Sequence, residues 1–374
     1  PLMKKLSTLF SLIALIGLAG AQAFAAETPT QATVLQINGD NAQVQMPGEA
    51  APRKLVAGEM LPQGATIITG AGTEVFVSPM NGTVSTIKEN SQVQLEKLSI
   101  TRSGATVTKQ SALMNLKSGN LVSTLDPAKR NINDFGVRTP KGVAAARGTT
   151  FTVTMAGGTY AVTVTNGVVS VQIPGGVSLT VNPGNVTNGT AVGTLANPPA
   201  GVSPAMVNNA AAAAVTAMAQ MAASPTLSAG ITNPTALLQS TVAAVASSGA
   251  PGALAQSMAQ ASAALTTASP TGGAPTIATA TMTAMVQTAV ASSGGNAVAA
   301  QAVMQAVSQG VAATTAAAAS QAAVTSSGAA QTAAAAGNTA GVTTAATNAA
   351  TSVANAAVSS VTTALAGITA AAAT

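Results

Sequence analysis

The chain has 374 residues, a formal net charge of +5 from 14 Lys and Arg against 9 Asp and Glu, and neither Cys nor His. Disulfide staples, thiol chemistry, imidazole acid–base catalysis and the usual Cys/His metal sites are thereby excluded. One Tyr, no Trp and so modest a charge argue against nucleic acid as a partner.

In chain order, Met3 opens a segment with the three parts of a secretory signal. Lys4-Lys5 precede an apolar stretch from Leu6 to Leu18, and Ala21-Gln22-Ala23-Phe24-Ala25 offers a small-residue cleavage site after Ala25. Residues 3–25 therefore read as an export signal, and no stable transmembrane helix is expected after its removal.

From Ala32 the pattern is β. Leu35 and Ile37 alternate with polar neighbours, Asn38-Gly39-Asp40-Asn41 reads as a turn, and Val44 and Met46 alternate back, which predicts a hairpin. Ile67, Val75, Val77, Val84, Val93, Leu95, Leu98 and Ile100 supply inward-facing positions of further short strands, and Asn81-Gly82 and Asn166-Gly167 mark tight turns. Strands recur about every ten residues up to Val181, predicting one compact all-β domain over 33–182, a sandwich, barrel or short β-helical stack. The organising stretch is FGVRTPKGVAAARGTTFTV, Phe135 to Val153. Phe135 and Val137 alternate, Thr139-Pro140 breaks the strand, Gly142 reopens it, and Phe151, Val153 and Met155 resume the period.

All charge lies at or before Arg147, and the 227 residues from Gly148 onward carry none. Residues 26–96 hold three basic and seven acidic side chains, whereas 97–147 hold nine basic and two acidic. The two sets either face different ways, favouring an anionic partner or contact between copies, or they interleave and cancel. Glu59, Glu74, Glu89 and Glu96 have no base or nucleophile beside them, so neither catalytic, cofactor nor metal residues are expected. Gly157-Gly158 and Gly175-Gly176 read as turns between strands.

After a linker at 183–204, residues 205–374 are rich in Ala, Ser and Thr. Ser203-Pro204, Ser224-Pro225 and Asn233-Pro234 each put a capping residue before proline. Helices are predicted near 205–223, 235–248, 252–268, 276–292, 296–309 and 345–372, with 312–350 the best candidate for disorder. Thin stripes mark one face of each, such as Leu238, Val242 and Val245, or Val358, Val361, Leu365 and Ile368. The methionines Met206, Met218, Met221, Met258, Met282, Met285 and Met304 fit core packing better than metal binding. This region is a packed helical array, a self-associating segment or a partly disordered stalk.

One family fits these residues. Leu55-Val56-Ala57-Gly58-Glu59, Gly64 to Gly70, Leu116 to Leu121, Thr139 to Phe151 and Asn166-Gly167-Val168-Val169 resemble the FecR domain, the periplasmic module of ferric-citrate regulator proteins, over about residues 33–182. The most specific part is the run carrying Thr139, Pro140, Gly142, Arg147, Gly148, Thr149 and Phe151, read as structural. Arg147 is expected to end a tight turn, bond backbone carbonyls and lay its stem on the core. The resemblance implies a non-enzymatic all-β module, in the periplasm or at the cell surface, that binds or relays a signal. Regulators of the family carry a cytoplasmic segment and a membrane helix before the domain. Here a cleavable signal stands in that place, so the link to a cytoplasmic sigma factor is not expected. An envelope protein or a polyanionic surface polymer is the expected partner. The alternative is a structural or adhesive envelope protein assembled through its Ala-rich tail.

Overall fold

The computed structural model describes residues 27–228, 230–267, 276–293, 302–303 and 305–314. The export signal at 3–25, the helix predicted at 345–372 and most of 312–350 lie outside them. The strands are β1 (Glu27–Pro29), β2 (Gln31–Asn38), β3 (Ala42–Gln45), β4 (Arg53–Lys54), β5 (Met60–Pro62), β6 (Thr66–Thr69), β7 (Glu74–Met80), β8 (Thr83–Ile87) and β9 (Gln92–Ser103). There follow β10 (Thr106–Leu125), β11 (Asn133–Thr139), β12 (Gly142–Ala146), β13 (Thr150–Ala156), β14 (Thr159–Asn166), β15 (Val169–Gln172), β16 (Ser178–Val181), β17 (Asn185–Thr187) and β18 (Val192–Thr194).

Pairing sorts them into two sheets. An outer sheet has the spatial order β4-β3-β6-β9-β10-β11-β12-β15-β16, with β1 beside the end of β9. An inner sheet has the order β5-β2-β7-β8-β10-β13-β14-β17-β18. Strand β10 belongs to both, changing sheet near Gly119, whose φ of 91° a side chain would resist. No pairing among the described residues closes a ring, so the two sheets form a sandwich rather than a barrel. In each sheet spatial order nearly follows chain order, because the chain visits one sheet, crosses a corner and visits the other. Of the three forms suggested by the sequence, a sandwich, a barrel or a short β-helical stack, the sandwich describes it, since all pairings among the described residues but β10–β11 are antiparallel and no coil of parallel strands forms there.

The segment 38–41 differs from the hairpin predicted there. Strand β2 pairs with β5 and β7, and β3 with β4 and β6, so Asn38-Gly39-Asp40-Asn41 is a corner between sheets. Gly39, at φ 98°, lies so close to Thr73 that a Cβ there would meet its Oγ1 at 2.5 Å. Asn81-Gly82 does close the β7–β8 hairpin.

Between the sheets lies one core, built from alternate residues such as Val34, Ile67, Val75, Leu95, Leu116, Phe135, Phe151 and Val164. The rings of Phe135 and Phe151 meet edge-on at 6.3 Å. Of the inward positions read from sequence, Ile100 is only half buried and Val84 faces a second core. That second core lies beneath helices α1 (Pro204–Ala223), α2 (Pro234–Ser247), α3 (Pro251–Ala264) and α4 (Thr279–Ser292). Helix α1 packs on β10, β13 and β14 and, on its other sides, on α2 and α3. Its residues Ala210 to Ala219 are all buried, which is why this helix carries no charge and needs no wide apolar stripe. Alanine buries little area per residue but lets helix and sheet approach closely.

Ser203 and Asn233 cap α1 and α2 as predicted, accepting from the backbone N–H of Met206 at 3.2 Å and Ala236 at 3.0 Å. Ser224-Pro225 starts only a single turn, which ends at Gly230 with φ 86°. The linker expected at 183–204 contains β17 and β18 in its first half. Helix α3 stops at Ala264, and Thr266–Thr267 pairs with Thr276–Ile277, where a helix was predicted to begin. Residues 305–314 are helical, extending past the predicted end at 309. No helix among the described residues is long and apolar enough to cross a membrane.

Candidate functional site

The 139–151 run is a strand end, a turn and a corner. Thr139 is buried, its hydroxyl donating to the carbonyl of Gly142 at 3.1 Å and accepting from the N–H of Lys141 at 3.2 Å, which closes the turn around exposed Pro140. Gly142 lies against β15, where a Cβ would come within 2.6 Å of the Gln172 carbonyl oxygen. Gly148, at φ 67°, passes over Pro127, leaving 2.7 Å between a Cβ and the Pro127 Cα. Thr149 is buried and its carbonyl accepts from the N–H of Leu125 at 2.8 Å. Phe151 then enters the core. Only Pro140 and Arg147 of the seven are exposed.

Arg147 departs from the expectation. Its guanidinium makes no carbonyl hydrogen bond to a described residue and stands 3.9 Å from the Asp134 carboxylate, with its side chain 65% exposed. The reason is local: Ala146 takes the inward position at the end of β12, so the next side chain points out as the chain turns away.

Arg147 therefore belongs to the rim of a surface, the solvent face of the outer sheet, over which no described element packs. Register across this face places Leu113, Gly136, Ala145, Ser170 and Thr180 in one row from β10 to β16. Arg138, Val143, Gln172 and Ser178 form the next. The first row is a strip of small side chains from Gly136 to Thr180, and charge lies beside it. Arg138 pairs with Glu96 at 2.9 Å, Lys109 with Asp134 at 2.9 Å and Lys97 with Glu27 at 2.7 Å. Asn115 donates to Glu96 at 3.0 Å. The hydrogen bonds of Lys97 and Ser99 hold the exposed Glu27 carboxyl below its ordinary range. Acidic and basic sets thus interleave here, since Glu27 and Glu96 meet partners from the basic stretch.

Of the four acids singled out in the sequence, Glu59 pairs with Arg53, Glu74 with Lys88, and Glu96 with Arg138, while Glu89 accepts from the N–H of Gly72 at 2.7 Å. Each has a structural partner. Among the described residues no group of three or more Asp or Glu could hold a metal ion.

A second constellation ties the sandwich to the helices. Buried Asp126 accepts from Ala128 N–H at 2.9 Å, from Thr232 N–H at 3.0 Å and from the Thr232 hydroxyl at 2.5 Å. Lys129 donates to the carbonyl of Gly230 at 2.9 Å and to Asn81 at 2.7 Å. At the other side Glu74 accepts from Gln220 at 3.0 Å and Asn38 at 2.9 Å and pairs with Lys88. Burial alone would raise the Glu74 carboxyl, but the Lys88 ammonium and these hydrogen bonds hold it below its ordinary value. Asp126 was not singled out in the sequence, and nothing there linked it to a residue in the helical region.

Residues 65–170 match the sequence profile of the FecR protein family. This is the FecR domain of the chain. The match runs from the start of β6 into β15 and so contains the 139–151 corner, the strip on β10–β12 and the inner-sheet face beneath α1. It is narrower than the 33–182 resemblance and leaves out the helices. Two crystal structures, at 2.50 and 1.65 Å, of a protein from Parabacteroides distasonis ATCC 8503 described as a "putative anti-sigma factor" are similar to the chain. Each shows 20% identity and a TM-score of 0.28 over 36% of this chain and 60% of that one. The chain thus spans less than two thirds of their length. No curated protein matches it.

Proposed function

We propose that this is an exported, non-enzymatic FecR-domain protein that binds a partner protein of the bacterial cell envelope, or relays a signal to it, through the solvent face of its outer sheet. The observation that carries the reading is the coincidence of the FecR match with that face: β9 to β12, the strip at Leu113, Gly136 and Ala145, and the Arg138–Glu96 pair all fall inside it. A row of small residues suits an extended surface contact, and charges paired across strands, such as Arg138 with Glu96, favour a protein over a polyanion. The helices, latched to the other side of the sandwich, stiffen the inner sheet and leave this face free.

Two measurements test it. Mass spectrometry of the protein recovered from the periplasmic fraction is expected to show a mature N-terminus at Ala26; retention in the cytoplasm with 3–25 intact overturns export. A photo-crosslinking residue at Ala145, in the strip, is expected to give one discrete adduct in cells, and the same residue at exposed Ala191 none. Equal labelling at both positions overturns the assignment of the face.

A further inference from the structure

Both sheets are open at both ends, and an open edge offers unpaired backbone groups to any extended chain. Most edges here are guarded. β4 is two residues long and is Arg53-Lys54, β5 ends in Pro62, and β1 carries Glu27 and Pro29. The outer side of β18 is covered by 197–199: Thr194 N–H donates to the Asn197 carbonyl at 3.1 Å, and two prolines follow. Charge, proline and a covering loop are the usual devices that keep edges from pairing.

β16 itself has none of them, and Pro183 comes only after its end. Its sequence is Ser178-Leu179-Thr180-Val181, its only strand partner among the described residues is β15, and its outward side makes no hydrogen bond to a described element. Leu179 and Val181 face the core while Ser178 and Thr180 are exposed. Two of the exposed large apolar side chains lie at this end of the sandwich, Val177 at 53% and Val192 at 40% exposure, and no charged residue follows Arg147.

We propose that β16 is a self-pairing edge through which two copies of the chain form a two-fold dimer with a continuous outer sheet. Antiparallel pairing about a two-fold axis normal to the sheet keeps inward residues opposite inward ones, so the register centres on a residue. Centred on Thr180, it sets Thr180 against its own mate and Leu179 against Val181 of the second copy. That extends the core across the join and leaves a threonine pair on the solvent face, a favourable cross-strand match. Neither β15 nor β16 carries a charge, so like charges do not face each other across the paired strands; basic Lys141 lies outside them, at the turn beside Gln172. The contact is small, so the dimer is weak and concentration-dependent.

Light scattering on the full chain over a range of concentrations tests this. The mass is expected to rise towards twice that of the monomer. Thr180→Lys and Thr180→Glu, both at an exposed position and folded by circular dichroism, place like charges opposite each other and weaken the dimer about tenfold or more. An equimolar mixture of the two variants restores it, because Lys now faces Glu. A wild-type chain that stays monomeric, a mass that grows past two copies, undiminished association of Thr180→Lys, or failure of the mixture to recover overturns the proposal.

Discussion

Thr152 and Thr163 sit opposite each other on β13 and β14, both buried beneath the helices. The Thr152 hydroxyl donates to the Ala210 carbonyl of α1 at 3.0 Å, whereas that of Thr163 has no partner among the described residues. A buried hydroxyl without a partner is destabilising by about 1–3 kcal/mol, and a bonded one is stabilising by about 1 kcal/mol. Substitution by valine, nearly the same shape, is therefore expected to have opposite signs at two touching positions. Thr163→Val should raise the urea midpoint by the equivalent of about 1 kcal/mol, and Thr152→Val should lower it by a similar amount. Two shifts of the same sign would show that burial of the hydroxyl, bonded or not, sets the effect.

Corners rather than strands make this fold what it is, and corners are where the sequence was least legible. Asn-Gly at 81–82 closes a hairpin and Asn-Gly at 166–167 carries the chain from β14 in one sheet to β15 in the other. The same dipeptide serves both because each use needs positive φ at the glycine, 80° and 70° here. Local chemistry therefore announced the turn and could not announce its destination. Likewise, Thr150, Thr152 and Thr154 alternating with Phe151 and Val153 read as a half-exposed strand. All five are buried, since alanine helices far along the chain cover the threonine face. The helix starts at Ser203-Pro204 and Asn233-Pro234 were legible because capping is local, and Arg147 was misjudged because its surroundings are not. At the corner before β13, Gly148→Ala is expected to lose more than the ~1–2 kcal/mol of left-handed strain alone, as its Cβ would press on Pro127. Gly157→Ala, at φ 56° with nothing within 4 Å, should lose only that strain. Equal losses in denaturant unfolding would remove the corner's packing from the account.

For the molecule as a whole, the polar latches decide whether sandwich and helices behave as one body. Glu74 joins Lys88 and Asn38 of the sandwich to Gln220 of α1. Because its carboxyl is held below the ordinary 4.5, its contribution to stability is present above that value and is lost as pH falls through the folded-state value. Glu74→Gln should be less stable than wild type at neutral pH, where Lys88 loses its partner, and should show a shallower decline below about pH 4.5 in thermal melts. Parallel acid limbs for the two proteins would place the acid sensitivity in other carboxylates.

The near-agreement of spatial order with chain order also bears on synthesis. A strand that pairs with strands already translated has its template waiting when it leaves the ribosome. β7 meets β2, β9 meets β6, β13 meets β10 and β17 meets β14, always an earlier neighbour. The sandwich can therefore be laid down vectorially, one rung upon the last, without holding open a long loop for a distant partner. The threonine face of the inner sheet alone stays wet until α1 emerges to cover it.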